Sequence, residues 1–417
     1  MPTPGLTIRN KLIYQLALWV VLIASLVLLV YLSPTLVDPR FLAADDFGHF
    51  WSAGRLIILG QNPYDQTLIV EMLYQIGRLP ITSHIVSVML NPPWTLPIVM
   101  IFGMFNFPVS RLLWLLGNIS ILIFCANQLW IYYGGSTKTR WIALILAFTF
   151  TPTIAVLQKG QFTPLILLGV VCYLQLVDRT QLLPNQRRIN WTLLALTGIT
   201  LVLMAIKPQL TYLFWLALLL WSIQRKSWIV LLSGILMIMF ACALPMIFKP
   251  DLIGHYIASI MEYPLSQWAT PTIGSYLRVI FGTQYFWLQF LPPIIGSLWF
   301  MAYWFPRRND WHWGSEMPMI LLVSLVTSPY YWTYDLIIAI PALIVIAIVI
   351  FTHFQHRIFI KTEFIIIFSY LVLIILNLIL HRYLDEYWFG WFAPALLLLS
   401  IIFTFQKESI KLHPDKG

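Results

Sequence analysis

Residues 228–248 read WIVLLSGILMIMFACALPMIF, a stretch without a charged side chain, closed by Lys226 on one side and Lys249 on the other. At about 1.5 Å of rise per residue, some 20 such residues cross the roughly 30 Å hydrocarbon core of a bilayer as a helix. The pattern recurs along the chain. Of its 417 residues, 60% are hydrophobic and 10% are charged, whereas an ordinary soluble domain carries about 25% charged residues. No soluble core requires so much apolar surface, and the expected fold is an all-α polytopic membrane protein.

Apolar stretches fall at 11–32, 110–133, 141–158, 163–178, 191–206, 209–224, 228–248, 285–305, 317–332, 334–352, 363–380 and 391–406. They predict about 12 transmembrane helices. A further stretch, 93–106, contains Pro97 and is about 14 residues long, too short to cross; it is expected to lie at the outer surface or dip into it. Counting Lys and Arg does not separate twelve spans with a cytoplasmic N-terminus from thirteen with the opposite orientation. Twelve spans keep Arg9 and Lys11 inside and require no short crossing. Residues 1–417 then read as a single integral-membrane domain, multi-pass in the cell membrane, with both termini cytoplasmic. The first span follows Arg9 and Lys11 and precedes no small-residue cleavage site, so it is expected to be retained. Segment 33–109 becomes an outer catalytic loop with amphipathic surface helices. Segment 249–284 becomes a second outer loop, and 381–390 a shorter one.

Composition also excludes function classes. The net charge of +9 sits in short loops between spans, where basic residues set orientation. No basic run with interleaved aromatics is present, so no nucleic-acid partner is expected. Cys125, Cys172 and Cys242 lie within apolar spans and read as small buried hydrophobes. His49, His84, His255 and His381 lack ligand spacing, and no metal is expected. There is no P-loop, GxGxxG or GxSxG.

Carboxylates are scarce, with 16 Asp and Glu in all. Two open the stretch Asp45-Asp46-Phe47-Gly48-His49-Phe50-Trp51-Ser52-Ala53-Gly54-Arg55, which runs on to the turn Asn62-Pro63-Tyr64-Asp65. Phe47, Phe50, Trp51 and Gly54 are spaced for an amphipathic helix lying on a membrane. A carboxylate at its start faces the headgroup boundary, or caps the helix. His49 lies one turn from Asp46 and is placed to orient it. Lys207 and Lys159 end apolar spans, where a lysine snorkels to the surface or serves as a point charge for a phosphate. Lys159 is read as snorkelling. In Ser328-Pro329-Tyr330-Tyr331-Trp332-Thr333-Tyr334-Asp335 the aromatics suit a membrane belt. Asp335 either caps the next helix or is functional, as acids at a span edge often are.

Several of these pieces, in this order, resemble the integral-membrane GT-C glycosyltransferases, and within them glycosyltransferase family 87. The resemblance rests on Asp46-Phe47, Phe50-Trp51, Ala53-Gly54, Gly60 to Asp65, Pro92-Pro93-Trp94, Gly160-Gln161, Lys207-Pro208-Gln209, and Ser328-Pro329 with Trp332. Tyr334 stands where the family often has His. The resemblance implies a GT-C-like fold and inverting transfer of a hexose, typically mannose. The donor is a polyprenyl-phosphate-linked sugar, and the acceptor a hydroxyl of a glycolipid or glycan among membrane lipid. It implies that Asp46 is the general base. A phosphate leaving group needs no general acid, unlike glycoside hydrolysis. One carboxylate suffices to take the hydroxyl proton, helped if burial or Asp45 raises its pKa. A cation must balance the departing phosphate, a role open to Lys207, Arg55 or Arg278. Trp51, Tyr64, Gln161, Gln209, Trp332, Tyr334 and Asp335 are the expected substrate-binding residues, with no cofactor. The competing reading is a transporter or flippase, which would place acids and broken helices at mid-span.

Overall fold

The computed structural model describes residues 46–77, 88–181, 191–355, 361–381 and 383–412. The expected first span 11–32 lies outside the described residues, as do Asp45 and His84. Every described element is a helix.

Two short helices come first: α1 (Asp46–Ile58) and α2 (Gln66–Gln75). Asp65 caps α2, accepting from the Thr67 and Leu68 amides at 2.8 and 3.2 Å. A 3₁₀ turn, Pro93–Thr95, leads into α3 (Leu96–Gly103). Asn106 then caps α4 (Phe107–Tyr132), with Pro108 in its first turn.

The apolar face of α1 packs against protein, which corrects the expectation of a helix lying on lipid. Phe47 stacks on Trp114 at 5.1 Å and meets Phe102 edge-on at 6.0 Å, while Phe50 packs on Phe162 at 4.2 Å. Helical spacing reveals that one face is apolar, but not what covers it. Two glycines bring α1 onto α3. A Cβ on Gly54 would lie 2.2 Å from the Val99 carbonyl oxygen, and one on Gly103 would lie 2.4 Å from the Gly54 carbonyl carbon. This close backbone approach fixes the helix that begins with Asp46.

Five described helices are long and apolar enough to cross a membrane: Phe107–Tyr132, Trp228–Met246, Thr333–His353, Glu363–Leu380 and Glu386–Phe403. A sixth appears if Thr137–Thr149 and Thr151–Lys159, bent by 64°, form one span. The break isolates α5 (Trp141–Thr149) from α6 (Thr151–Lys159): Phe150 is extended, and Pro152 has no amide to continue the ladder. The other expected spans are shorter or more polar. They comprise the 19-residue α7 (Thr163–Gln181), then α8 (Trp191–Ile199) and α9 (Leu201–Met204) end to end, and the 14-residue α10 (Tyr212–Arg225). After α11 (Trp228–Met246) come α12 (Leu252–Glu262) and α13 (Ile273–Phe281) in the second predicted outer loop. Next are the 17-residue α14 (Leu291–Arg307) and 15-residue α15 (Trp313–Thr327). The chain closes with α16 (Ile340–Gln355), α17 (Lys361–Leu380) and α18 (Phe392–Leu412). The described helices therefore do not reach the predicted count of twelve. α7 lies inside the helical assembly: Ile166, Leu167, Val170, Val171, Tyr173, Leu174 and Val177 are all buried. Its apolar surface is covered by neighbouring helices.

Candidate active site

Three breaks in helical regularity meet Asp46, in the first described turn of α1, at one place. α6 ends at Gly160, whose left-handed backbone (φ 71°, ψ 44°) turns the chain so that Gln161 follows it inward. Lys207 (φ −135°, ψ 77°) precedes the 3₁₀ turn Pro208–Thr211. A second 3₁₀ turn, Thr333–Ala339, carries Asp335 in its first turn. Polar side chains at such ends must find one another, because an unpaired polar group among apolar helices is costly.

They form a continuous chain. Gln161 Nε2 donates to Asp46 Oδ2 at 2.5 Å, and its Oε1 accepts from Lys207 Nζ at 3.0 Å. Lys207 Nζ also donates to Asp335 Oδ1 at 2.7 Å. Thr163 Oγ1 donates to the same oxygen at 2.7 Å, and the Trp332 amide donates to Oδ2 at 3.0 Å. The Lys207 ammonium lies 4.7 Å from the centre of the Tyr334 ring, a cation–π contact. Gln161, Thr163, Tyr334 and Asp335 are buried, while Asp46 and Lys207 are partly exposed. Asp335 thus caps its turn, as one reading of the sequence expected, and also pairs with Lys207.

A second arm carries residues that motif reading missed. Glu386 Oε1 accepts from the Thr333 amide at 2.8 Å and from Thr333 Oγ1 at 2.6 Å. Its Oε2 lies 3.9 Å from Lys159 Nζ. Lys159, expected to snorkel, is thus part of an ion pair beside the chain. The scarcity of acids that singled out Asp45-Asp46 applies equally to Asp385-Glu386, and was the available signal.

The remaining predicted residues separate into four groups. Tyr334 and Asp335 lie in the 3₁₀ turn that Trp332 immediately precedes. Gln209 adjoins Lys207, and its carbonyl accepts from Ser328 Oγ at 3.1 Å. His49 is half-buried one turn beyond Asp46 on α1. Trp51, Arg55, Tyr64 and Arg278 are held elsewhere. Trp51 Nε1 donates to the Phe105 carbonyl at 3.1 Å, and Arg55 to the Gly103 carbonyl at 3.2 Å; both tie α1 to the chain around α3. The Tyr64 hydroxyl donates to the Asn91 carbonyl at 3.3 Å. Burial pushes its phenol well above the usual range, so it remains neutral. Arg278 is bonded within its own loop.

A carboxylate joined through an amide to an ammonium, and on to a second carboxylate, offers a proton acceptor and a positive point in one fixed frame. Fold and site together define a helical membrane protein in which two carboxylates, an amide and an ammonium form one hydrogen-bonded frame. Residues 90–329 match the family model of glycosyltransferase family 87, more than half of the chain, and the chain belongs to that family. It is accordingly a glycosyltransferase by family. No curated protein and no solved structure matches it. The matched segment contains Gln161 and Lys207; Asp46 precedes it, and Asp335 and Glu386 follow it.

Proposed function

We propose that this protein is an inverting hexosyltransferase that moves mannose from a polyprenyl-phosphate donor to a hydroxyl of a glycolipid or glycan. The carrying observation is that Asp46 and Lys207 share Gln161 as a common partner. In this reading the acceptor hydroxyl attacks the anomeric carbon and the bond from that carbon to the phosphate oxygen breaks. Asp46 takes the hydroxyl proton, and the polyprenyl phosphate leaves with the bonding electrons. Lys207 stabilises the charge building on that phosphate. Asp335 and Gln161 hold the ammonium in place, and Tyr334 supplies one wall of the sugar site where the family often has His. A phosphate is already a good leaving group, so the reading asks for no general acid, metal or cofactor.

The catalytic frame is assigned to the outer face of the cell membrane, with 33–109 as the catalytic loop and a GT-C-like arrangement of helices. Protein purified into lipid should transfer sugar from a polyprenyl-phosphate donor, and Asp46→Asn should abolish transfer without altering folding. Full activity in that variant overturns the base assignment. A cysteine placed at Asn62 should be labelled by an impermeant reagent on intact cells. Labelling only after lysis reverses the orientation.

A further inference from the structure

The segment between α12 and α14 contains a second polar feature that the chain from Asp46 to Asp335 does not use. A cavity of about 380 Å³ is lined by Ser266, Trp268, Ser275, Arg278, Thr283 and Gln284, among others. Arg278 is only 6% exposed. Its guanidinium donates to Gln289 Oε1 at 3.2 Å, to the Thr283 carbonyl at 3.4 Å and to the Ser266 carbonyl, and lies 5.2 Å from the centre of the Phe286 ring. All of these partners are neutral. Among the described residues no carboxylate lies in salt-bridge range of Arg278. Its Nε is buried without an acceptor.

A buried cation without a counter-charge is costly, and carbonyl dipoles offset only part of that cost. The cavity therefore favours a ligand carrying negative charge. A guanidinium with an unused N–H suits the oxygens of a phosphoryl group.

The other side of α13 identifies the source of that group. Gly274, Ser275 and Arg278 are buried, whereas Val279, Ile280 and Phe281 are exposed, Ile280 at 71%. Trp287 is exposed just beyond. On α12, Ile253, Ile257, Ile260 and Met261 form an exposed apolar stripe with helical periodicity. Helices of this kind lie in the membrane interface with the apolar face among acyl chains and the polar face at headgroup level.

We propose that the cavity behind α13 binds the phosphodiester headgroup of an anionic phospholipid, with Arg278 as the charge partner and the acyl chains along Val279, Ile280 and Phe281. The site connects to the catalytic frame. Gln289, which accepts from Arg278, also donates to the Pro329 carbonyl in the turn leading to Asp335. Trp268 at the cavity wall meets Trp332 at 6.4 Å. The proposal concerns binding and stands whether or not the transfer chemistry is as described above.

Protein in phosphatidylcholine nanodiscs is titrated with short-chain phosphatidylglycerol, with inorganic phosphate and with a short-chain diacylglycerol, and its thermal unfolding is followed. Phosphatidylglycerol should stabilise the protein, and neither of the other probes should match it. Arg278→Gln should weaken the lipid response about tenfold or more, and Arg278→Lys should recover part of it. Ile280→Gln, at an exposed position where folding is unaffected, should weaken the lipid response with the guanidinium intact. Equal stabilisation by diacylglycerol overturns the charge assignment. Equal stabilisation by inorganic phosphate overturns the lipid assignment. An unchanged lipid response in both Arg278→Gln and Ile280→Gln overturns the site.

Discussion

Two regions of this protein enclose a basic side chain largely out of water, and they treat its charge oppositely. Around Lys207 the ammonium lies 2.7 Å from Asp335 and 3.0 Å from the Gln161 amide oxygen, and the neighbouring Lys159 faces Glu386. Each lysine there has a carboxylate of its own. Around Arg278 the partners are two backbone carbonyls and a glutamine. In the first arrangement both lysines are matched without a ligand and can be held in a fixed geometry, which is what a catalytic frame requires. The second is short of one negative charge, which is what a receptor for an anion requires. In the balanced region Asp46 stands apart, because its described partner is the neutral Gln161 amide. Of the three carboxylates it is the one with no lysine in salt-bridge range among the described residues.

The largest expected effect tests that distinction. Asp46→Asn keeps the size of the side chain and can still meet Gln161, yet it accepts no proton. The transfer rate should fall by about 10²- to 10⁴-fold, the usual contribution of general-base catalysis, with little change in thermal stability. Measuring turnover and unfolding on the same preparation checks both halves. A comparable loss in Glu386→Gln, with Asp46→Asn nearly active, would move the base to the second arm.

Next in size is an attempt to make the balanced region resemble the unbalanced one. Asp335→Asn retains an oxygen for the Trp332 amide but removes the charge from Lys207. An uncompensated buried charge costs about 3–5 kcal/mol, and unfolding in detergent should shift accordingly. Combining it with Lys207→Met removes both charges and should restore much of the stability while leaving the protein inactive. If Asp335→Asn is as stable as the parent, the pair is not an electrostatic unit and the contrast with Arg278 fails.

The balanced region was the more legible in the sequence. Gly160-Gln161, Lys207-Pro208 and Asp335 each interrupt an apolar run with a turn and a polar side chain. Such groups must converge or reach water, so their meeting was readable without their pairing. The partner choices were not readable. Thr163 and Glu386 lie on segments with no motif, and only tertiary folding brings Thr163, at the start of α7, to Asp335, and Glu386, in the 3₁₀ turn before α18, to Thr333. Trp51 and Tyr64, read from the sequence as ligands for sugar, hydrogen-bond the Phe105 and Asn91 carbonyls, and an aromatic with a polar tip suits either role. Helical periodicity announced the apolar face of α1. Whether protein or lipid covers such a face depends on tertiary neighbours, and for α1 the cover is Phe102, Phe107 and Trp114.

A third effect probes what holds the base. Gly54→Ala places a methyl group against the Val99 carbonyl, and because the obstacle is backbone, α1 and α3 must move apart. Overpacking of this kind costs about 1–3 kcal/mol. Asp46 begins the displaced helix, so the rate should fall along with stability. Ser52→Ala, on the same helix and without this clash, should leave both nearly unchanged. Equal behaviour of the two variants would show that the glycine contact does not position the carboxylate.

The smallest effect concerns a group that the balanced region keeps neutral. His381 packs on Phe389 at 3.8 Å, just before the turn that carries Glu386. Burial lowers its pKa below the usual histidine value, and the nearby charge of Lys159 acts in the same direction, against a backbone bond to Asn377. With the folded pKa depressed, the unfolded chain binds the proton first as pH falls through about 6.5. Stability contributed by neutral His381 is present above that pH and declines below it, until the folded form is protonated as well. The slope cannot exceed about 1.4 kcal/mol per pH unit for one proton. Unfolding temperatures at a series of pH values should therefore show a shallow loss on the acid side of neutrality that His381→Gln removes. The sign carries the information. Burial, with Lys159 beside it, outweighs the carboxylates of this region for His381, whereas the cavity at Arg278 holds a cation without a match. If stability instead rises as His381 protonates, the nearby carboxylates outweigh its burial, and the division between the two halves of the molecule must be redrawn.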